Sequence, residues 1–321
     1  MSSSRIVLTG ATGFIGSAVL TELLRQNAAE PGTVREHIRA VGRRPPSPAG
    51  SACAWREADL AKPSTLRGVC EGADVLLHLA ASLSSEAAEC EAVNIDGTAA
   101  LMEEAARAGV GRIIQLSTAA VYGPGPHHGI AVNDIPPAPL SAASRSRLAG
   151  ESHALAASAI VLRPPLVTGP GDRWVVPALA ELLERVPALW DGGRARLSLV
   201  DVADLARLVV GLGRAPHPGG GTIHHAGHPQ PVRTGDLLAA LARHGLLPTV
   251  TDPLPWPECL RQFRATSGRM SERQFSLLAR DHWYRSEEVW HVAGASPGPG
   301  PLHRLGAAAP FYRSALRLRS G

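Results

Sequence analysis

Lysine is almost missing from this chain: Lys62 is the only one, and arginine carries the rest of the positive charge. With abundant alanine, glycine and proline, that bias is the compositional mark of a GC-rich genome. Cysteine is scarce as well. Cys53, Cys70, Cys90 and Cys259 show neither paired nor metal-like spacing, which points to reduced, buried thiols in a cytoplasmic protein. No apolar run reaches membrane-spanning length, and only Met1-Ser2-Ser3-Ser4 precedes the first apolar segment, so neither a membrane span nor a signal peptide is expected. The formal charge of +4 is spread out, with no basic run interleaved with aromatics, which argues against nucleic acid as a partner. No internal repeat is present. The 321 residues suffice for one large α/β unit or two lobes.

What the chain does have is Leu8-Thr9-Gly10-Ala11-Thr12-Gly13-Phe14-Ile15-Gly16. Arg5-Ile6-Val7-Leu8 reads as a short strand, and Phe14, Ile15, Ala18, Val19 and Leu23 are spaced as one apolar helix face. Strand, glycine turn and helix start form a phosphate cradle. Gly10 permits the sharp turn, Gly13 the close approach of a pyrophosphate, and Gly16 the packing of helix on strand. The helix N-terminus then offers free N–H groups and partial positive charge to the anion. Taken alone, the same glycines fit a tight turn that binds nothing.

A second strand over 36–41 ends at Gly42-Arg43-Arg44. An acid at this strand tip suits a free ribose 2′-hydroxyl, whereas arginine suits a 2′-phosphate. Arg43 and Arg44 therefore favour NADPH, with NADH still open; a pair of solvated loop arginines is the alternative. Pro45-Pro46-Ser47-Pro48 is loop. Asp59-Leu60 follows a short strand-like piece and is placed to flank adenine, unless Asp59 merely caps a helix near 62–69. A buried strand over 74–79 ends in His78-Leu79-Ala80-Ala81, small residues suited to a surface where ribose and phosphate lie close. A helix over 92–108 turns Val93, Leu101 and Ala105 inward. A strand over 112–116 runs into Ser117-Thr118-Ala119-Ala120-Val121-Tyr122-Gly123, followed by a long Pro/Gly/His loop at 124–139. A helix over 145–157 and a strand over 160–163, stopped by Pro164-Pro165, complete the pattern.

Strands alternating with helices predict a doubly wound parallel α/β sheet, a Rossmann fold, whose ligand lies beyond the strands' carboxyl ends. All the segments singled out fall at such ends. Past Gly169-Pro170-Gly171 the pattern loosens: a helix over 174–184, a strand over 196–200, a helix opened by Asp201-Val202-Ala203-Asp204, a strand over 222–225, and helices over 234–243 and 271–278. The expected division is a dinucleotide-binding domain over 1–165 and about 196–213, with a smaller substrate lobe and lid over 166–195 and 214–321.

By Thr9-Gly10-Ala11-Thr12-Gly13-Phe14-Ile15-Gly16, His78-Leu79-Ala80-Ala81, Asn94, the Thr118 to Gly123 segment, Leu162-Arg163-Pro164-Pro165 and Val200-Asp201-Val202-Ala203-Asp204, the chain resembles the extended short-chain dehydrogenases/reductases. The resemblance covers most of the chain. It implies that a nicotinamide dinucleotide is held by Gly10, Thr12, Gly13, Phe14, Ile15, Gly16, Arg43, Arg44, Asp59, Leu60, Leu79, Ala80, Ala81, Arg147 and Pro164. That family uses a Ser or Thr after the fifth strand, then a Tyr, then a Lys four residues on. Thr118 matches the first; the tyrosine falls on Ala143 and the lysine on Arg147. Tyr122, Tyr284 and Tyr312 are followed four places on by Pro126, Glu288 and Leu316, so no other register restores the pair. Arg147 can hold ribose hydroxyls, but a guanidinium keeps its proton too tightly to relay it.

Three readings follow. In the first, an NADPH-dependent ketoreductase uses Thr118 at the carbonyl and an unorthodox proton source: water, a loop group (His127, His128, Asn133, Ser141, Ser144), or a phenol on the substrate itself. Aromatic polyketides carry such a phenol, and the chain is similar to the atypical ketoreductases of angucyclinone antibiotic tailoring. The small-molecule partner is then an aromatic ketone, with a homodimer also compatible. In the second, an NADP-binding sensor has kept the cradle and shed the chemistry. The third, a nucleotide-sugar epimerase or dehydratase, is disfavoured because Leu166 stands where such relatives carry an asparagine. Tyr122 reads as a packed residue. His224, His225 and His228 have no carboxylate or cysteine at useful spacing and read as strand and turn, with no metal. The tryptophans either line an aromatic pocket or fill the lobe.

Overall fold

A computed structural model describes residues 4–29, 36–45, 53–216 and 219–320. The residues ahead of Ser4 and the prolines at 46 and 48 lie outside them. The first half of the chain runs β1 (Arg5–Thr9), α1 (Phe14–Ala29), β2 (His37–Gly42), β3 (Ala54–Glu57), β4 (Val75–His78), α2 (Ala87–Glu91), α3 (Gly97–Arg107), β5 (Arg112–Leu116), β6 (His127–Ile130), α4 (Ala142–Ala156) and β7 (Ile160–Arg163). Next come β8 (Leu166–Thr168), α5 (Val175–Arg185), β9 (Leu189–Trp190), β10 (Arg196–Leu197), β11 (Leu199–Asp201), α6 (Val202–Arg214) and β12 (Thr222–His225). The remainder holds β13 (Val232–Arg233), α7 (Thr234–Arg243), β14 (Pro253–Leu254), α8 (Trp256–Ala265), α9 (Glu272–Ala279), β15 (His282–Tyr284), α10 (Glu287–Val292) and α11 (Leu305–Ser320).

Seven strands form the main sheet in the order β12-β7-β5-β4-β1-β2-β3, all parallel. Its central strands are apolar on both faces, as a sheet covered on both sides requires. On one face Val19 and Leu23 of α1 meet Leu205, Leu208 and Val209 of α6; on the other, Leu101 and Ala105 of α3 and Ala154 of α4 cover Leu76 and Val161. From β1 the order runs outward to β2 and β3 on one side and to β4, β5, β7 and β12 on the other. The crevice at this reversal opens between β1 and β4, where such sheets bind their ligand.

A second core fills the lobe: Leu179 and Leu182 of α5, Trp190, Phe275 and Tyr312 pack together. A four-stranded sheet, β13-β10-β15-β6, joins it to the long loop after β5. Pairs β11-β8 and β14-β9 complete the pairing.

Several expectations shift. The loop over 124–139 is not structureless, because β6 pairs with β15 across the lobe. The strand expected over 196–200 is two, β10 and β11, which pair in different sheets. The strand over 222–225, assigned to the lobe, is the outermost strand of the main sheet, registered on β7. The helix over 92–108 opens as a π turn over Ala92–Asp96, which leaves Val93 half-buried and turns Asn94 inward. The helix near 62–69 shrinks to a 3₁₀ turn over Pro63–Leu66, preceded by Lys62, and Asp59 does not cap it. Instead Asp59 closes a local turn, its Oδ1 accepting from the Ala61 amide at 3.1 Å.

Candidate active site

The cradle forms where β1 hands over to α1. Gly10 has φ +77°, and a Cβ there would lie 2.7 Å from the Ala80 amide nitrogen. A Cβ on Gly16 would stand 2.0 Å from the Gly10 carbonyl oxygen, so this glycine closes the turn on itself. Gly13 is less confined, its nearest neighbour 3.3 Å away. The first-turn amides of α1 have no intrahelical acceptor, and no acid stands among them to compete for an anion. The turn fits a pyrophosphate.

Register puts the other expected cofactor residues around it. Thr9 lies beside Val41 on one side and His78 on the other. Arg43 and Arg44 thus emerge, exposed, just past β2 and next to the glycine turn. Leu79 and Ala80 flank it from β4, their amides donating to Thr9 Oγ1 at 3.2 and 3.3 Å. The Thr9 hydroxyl then gives its hydrogen to His78 Nδ1 at 2.8 Å, leaving His78 Nε2–H to donate to Thr98 at 3.1 Å. Burial lowers the His78 pKa to about 4, so the ring is neutral. Ala81 continues this edge, half-buried. Leu60 backs onto Gly97, where a Cβ would meet its carbonyl oxygen at 2.5 Å.

One cleft of about 1190 Å³ joins the cradle to the lobe. Thr12, Gly13, Phe14, Ile15, Thr118, Arg147 and Pro164 all line it. Arg43, Arg44, Asp59, Leu60 and the Leu79 to Ala81 edge are not among its lining residues.

Thr118 opens the 3₁₀ turn Ala119–Tyr122, its Oγ1 accepting from the Ala120 amide at 3.1 Å. The hydroxyl hydrogen stays available to the cleft. Ala143 and Arg147 lie one turn apart on α4, which starts at a capping box between Ser141 and Ser144. Arg147 Nη2 donates to the carbonyls of Leu116 (3.0 Å) and Ser117, while its Nε is buried with no partner among the described residues. Burial lowers its pKa to about 10, so it remains a cation near neutrality. A guanidinium fixed at the cleft wall, with donors beyond the two on Nη2, fits a ribose hydroxyl.

The five loop groups considered as proton sources separate. Ser141 and Ser144 line the cleft, occupied with capping α4. His127 is buried in β6, its pKa lowered by that burial. His128 pairs with Asp281 at 2.8 Å, and Asn133 is exposed outside the cleft lining. The tryptophans divide as well. Trp174 and Trp256 line the cleft, with Leu260, Leu277 and Phe311; Trp190 and Trp290 are core residues whose indole N–H groups donate to the Val186 and Gly227 carbonyls. Trp283 lies under the Arg196 guanidinium, 5.6 Å from its ring centroid.

Tyr122 is packed, 2 % exposed, and its hydroxyl is fully engaged. It accepts from Arg163 Nη1 (2.8 Å) and shares its single hydrogen between His225 Nε2 (2.8 Å) and the Val132 carbonyl (3.1 Å). His225 Nδ1–H donates in turn to the Arg285 carbonyl at 3.1 Å, and burial lowers its pKa to about 4. Asn94, Arg163 and Tyr284 were named in the sequence, but sequence reasoning missed what each one does. Arg163 forms the buried pair with Glu151 behind Tyr122; Asn94 bonds both backbone groups of Ser82 and the Ser146 hydroxyl. Tyr284 lies in the cleft wall. Buried polar residues at helical or strand positions read as surface in a sequence, so only pairing across elements reveals them.

The profile of the NAD dependent epimerase/dehydratase family matches residues 6–224. Ceramide reductase of Caulobacter vibrioides (strain NA1000 / CB15N) is 32 % identical over 66 % of this chain, which spans 61 % of that protein's length. The 4-hydroxy-2-methyl-3-oxo-4-farnesyl-3,4-dihydroquinoline-1-oxide ketoreductase of Stigmatella aurantiaca is 25 % identical over 74 % of this chain and 72 % of its own. The 2-alkyl-3-oxoalkanoate reductase of Stenotrophomonas maltophilia (strain K279a) is 27 % identical over 91 % and 94 %. Among solved structures, MoeE5 in complex with UDP-glucose and NAD superposes with a TM-score of 0.70 at 23 % identity, covering 98 % of this chain and all of that one. That likeness is one of fold.

Proposed function

Because the chain belongs to the NAD-dependent epimerase/dehydratase family, we propose that it is an NADPH-dependent ketoreductase for a bulky, largely apolar ketone of the aromatic polyketide kind. One observation carries this reading: the hydroxyl of Thr118 and a wall of Trp174, Trp256, Leu260, Leu277 and Phe311 share one cleft with the glycine cradle. Leu166 also lines it, an apolar surface where a sugar would need hydrogen bonds. The reductase names of relatives that act on oxo compounds support the same direction.

When bound, the reduced nicotinamide supplies hydride to the carbonyl carbon. The chain's own part is binding and orientation. The N-terminus of α1, with Gly10, Thr12, Gly13, Phe14, Ile15 and Gly16, holds the pyrophosphate. Arg43 and Arg44 take the 2′-phosphate, Asp59 and Leu60 flank adenine, and the Leu79 to Ala81 edge lies along the ribose and phosphates. Arg147, anchored on the Leu116 and Ser117 carbonyls, orients the nicotinamide ribose, and Pro164 borders the ring. Thr118 donates to the carbonyl oxygen as negative charge develops there, an interaction strongest in the transition state. Aromatic walls exclude water and fix the ketone's face, and such orientation supplies roughly 7–11 kcal/mol of a barrier.

The test is NADPH oxidation with 2-acetylnaphthalene, 1-hydroxy-2-acetonaphthone and a 2-alkyl-3-oxo ester, with the alcohol identified by mass spectrometry. Turnover of at least one supports the reading. Dinucleotide binding with no alcohol from any of them would favour the non-catalytic sensor, and tight binding of a nucleotide diphosphate sugar the epimerase.

A further inference from the structure

Tyr284 ends β15, and its ring sits in a buried aromatic cluster. It stacks on Tyr122 (centroids 5.8 Å apart, planes at 24°) and tilts against His225 at 5.0 Å and His127 at 5.8 Å. Its amide donates to Ser198 Oγ at 2.9 Å, which fixes the backbone. The residue is 5 % exposed and lines the cleft. Its hydroxyl makes no hydrogen bond among the described residues, although the hydroxyl of Tyr122 has three partners and that of Tyr312 has two. A buried phenol nearly always finds a partner. This one is left over for whatever enters the cleft. Thr118 lines the same cleft, and its neighbour Ala119 belongs to the apolar cluster that holds Tyr284.

We propose that Tyr284 is the catalytic acid that stands in for the tyrosine missing at Ala143, its hydroxyl bonding the ketone oxygen and delivering the proton. This rests on the ketoreductase reading. As the carbonyl carbon accepts hydride from the reduced dinucleotide and forms its C–H bond, the C=O π pair moves onto oxygen. The Tyr284 O–H bond breaks, and its proton completes the alcohol. The phenolate takes a proton from water in the cleft; the ketone has been reduced and the dinucleotide oxidised. Thr118 gives the same oxygen its second hydrogen bond. Burial and the neighbouring Tyr122 hold the phenol above its ordinary pKa, which keeps the proton in place until the alkoxide develops.

Tyr284→Phe removes only an oxygen that the fold does not use, so the variant keeps its stacking and its stability. Two measurements on the NADP⁺- and NADPH-loaded proteins test the assignment. In the oxidised complex, ¹³C-carbonyl-labelled 2-acetylnaphthalene should show a C=O stretch shifted to lower frequency in the wild type and largely restored in Tyr284→Phe. With NADPH, kcat for any ketone turned over should fall about 10²-fold or more, a general acid's usual contribution, with NADPH affinity unchanged. Equal carbonyl frequencies in the two proteins, or a kcat lowered less than threefold, would overturn the assignment and leave the reductase reading standing. A shifted stretch in the wild type without NADPH oxidation would instead remove the reductase reading and keep Tyr284 as the carbonyl's hydrogen-bond donor. If 2-acetylnaphthalene does not bind, the labelled probe is whichever of the three ketones is turned over, and turnover that survives Tyr284→Phe overturns the assignment alone.

Discussion

Arg163 of β7 and Glu151 of α4 form a two-pronged ion pair, with Nε–Oε1 at 3.0 Å and Nη2–Oε2 at 2.6 Å, and neither side chain is more than 3 % exposed. Glu151 also accepts from the Ser117 hydroxyl, and Arg163 donates to Tyr122. The pair therefore fixes the backbone on both sides of Thr118. Arg163→Ala strands the Glu151 carboxylate and should cost about 3–5 kcal/mol. Replacing both, as Arg163→Met with Glu151→Leu, should cost much less. Urea midpoints of the three proteins check this; equal losses would contradict it.

Two tyrosines stacked on each other should respond unequally to the same deletion. Tyr122→Phe leaves Arg163 Nη1 and His225 Nε2 short of a partner and should lower stability by about 1–3 kcal/mol. Tyr284→Phe should leave the thermal midpoint within error of wild type. A larger loss at 284 than at 122 would mean the hydroxyl at 284 is structural.

The glycine turn makes a graded forecast. Gly16→Ala drives a methyl onto the Gly10 carbonyl and should destabilise the fold by roughly 1–3 kcal/mol as well as abolish dinucleotide binding. Gly13→Ala meets its nearest neighbour at 3.3 Å and should leave stability within about 0.5 kcal/mol while weakening the dinucleotide. Calorimetric titration and melting curves of both variants separate the two effects.

Cofactor choice should lie at the tip of β2. The double variant Arg43→Ala, Arg44→Ala should weaken NADPH by about tenfold or more, the loss of one to two charge-assisted contacts, and NADH hardly at all. Equal weakening of both would refute the 2′-phosphate assignment.

Three buried histidines make the fold sensitive to acid. His78, His225 and His282 each have a pKa of about 4, lowered from 6.5 by burial. Between these values the unfolded chain binds more protons than the folded one, so stability is intact above pH 6.5 and declines as pH falls toward 4. Asp172 and Asp201, raised by burial, bind protons before the unfolded chain does and offset part of that slope. Urea midpoints should therefore fall from pH 7 to pH 5. His225→Gln should flatten the decline by close to one proton, and an unchanged slope would show that His225 titrates normally.

The sheet was legible in the sequence because each strand of a covered parallel sheet is a run of apolar residues ended by a turn. The strand over 222–225 was found residue for residue, yet its sheet was not, since Thr-Ile-His-His carries no sign of which edge it will join. Likewise β6 was hidden inside a loop rich in His and Gly, because its pairing with β15 spans half the chain. The cradle and Thr118 rest on local motifs and so were visible. Tyr284 was not, because its position depends on β15 being laid beside β6 and on a stack with Tyr122, and no local spacing encodes either.

The placement of β12 has a practical corollary for anyone dividing this protein. Truncation after α6 would strip the outer neighbour from Ile160–Arg163 and bare a row of amides and carbonyls on an apolar ribbon, an invitation to self-association. It would also delete His225, leaving the Tyr122 hydroxyl with one acceptor fewer. The half that carries the glycine turn is thus not a detachable module, and a fragment that keeps the main sheet whole must carry the chain through at least His225.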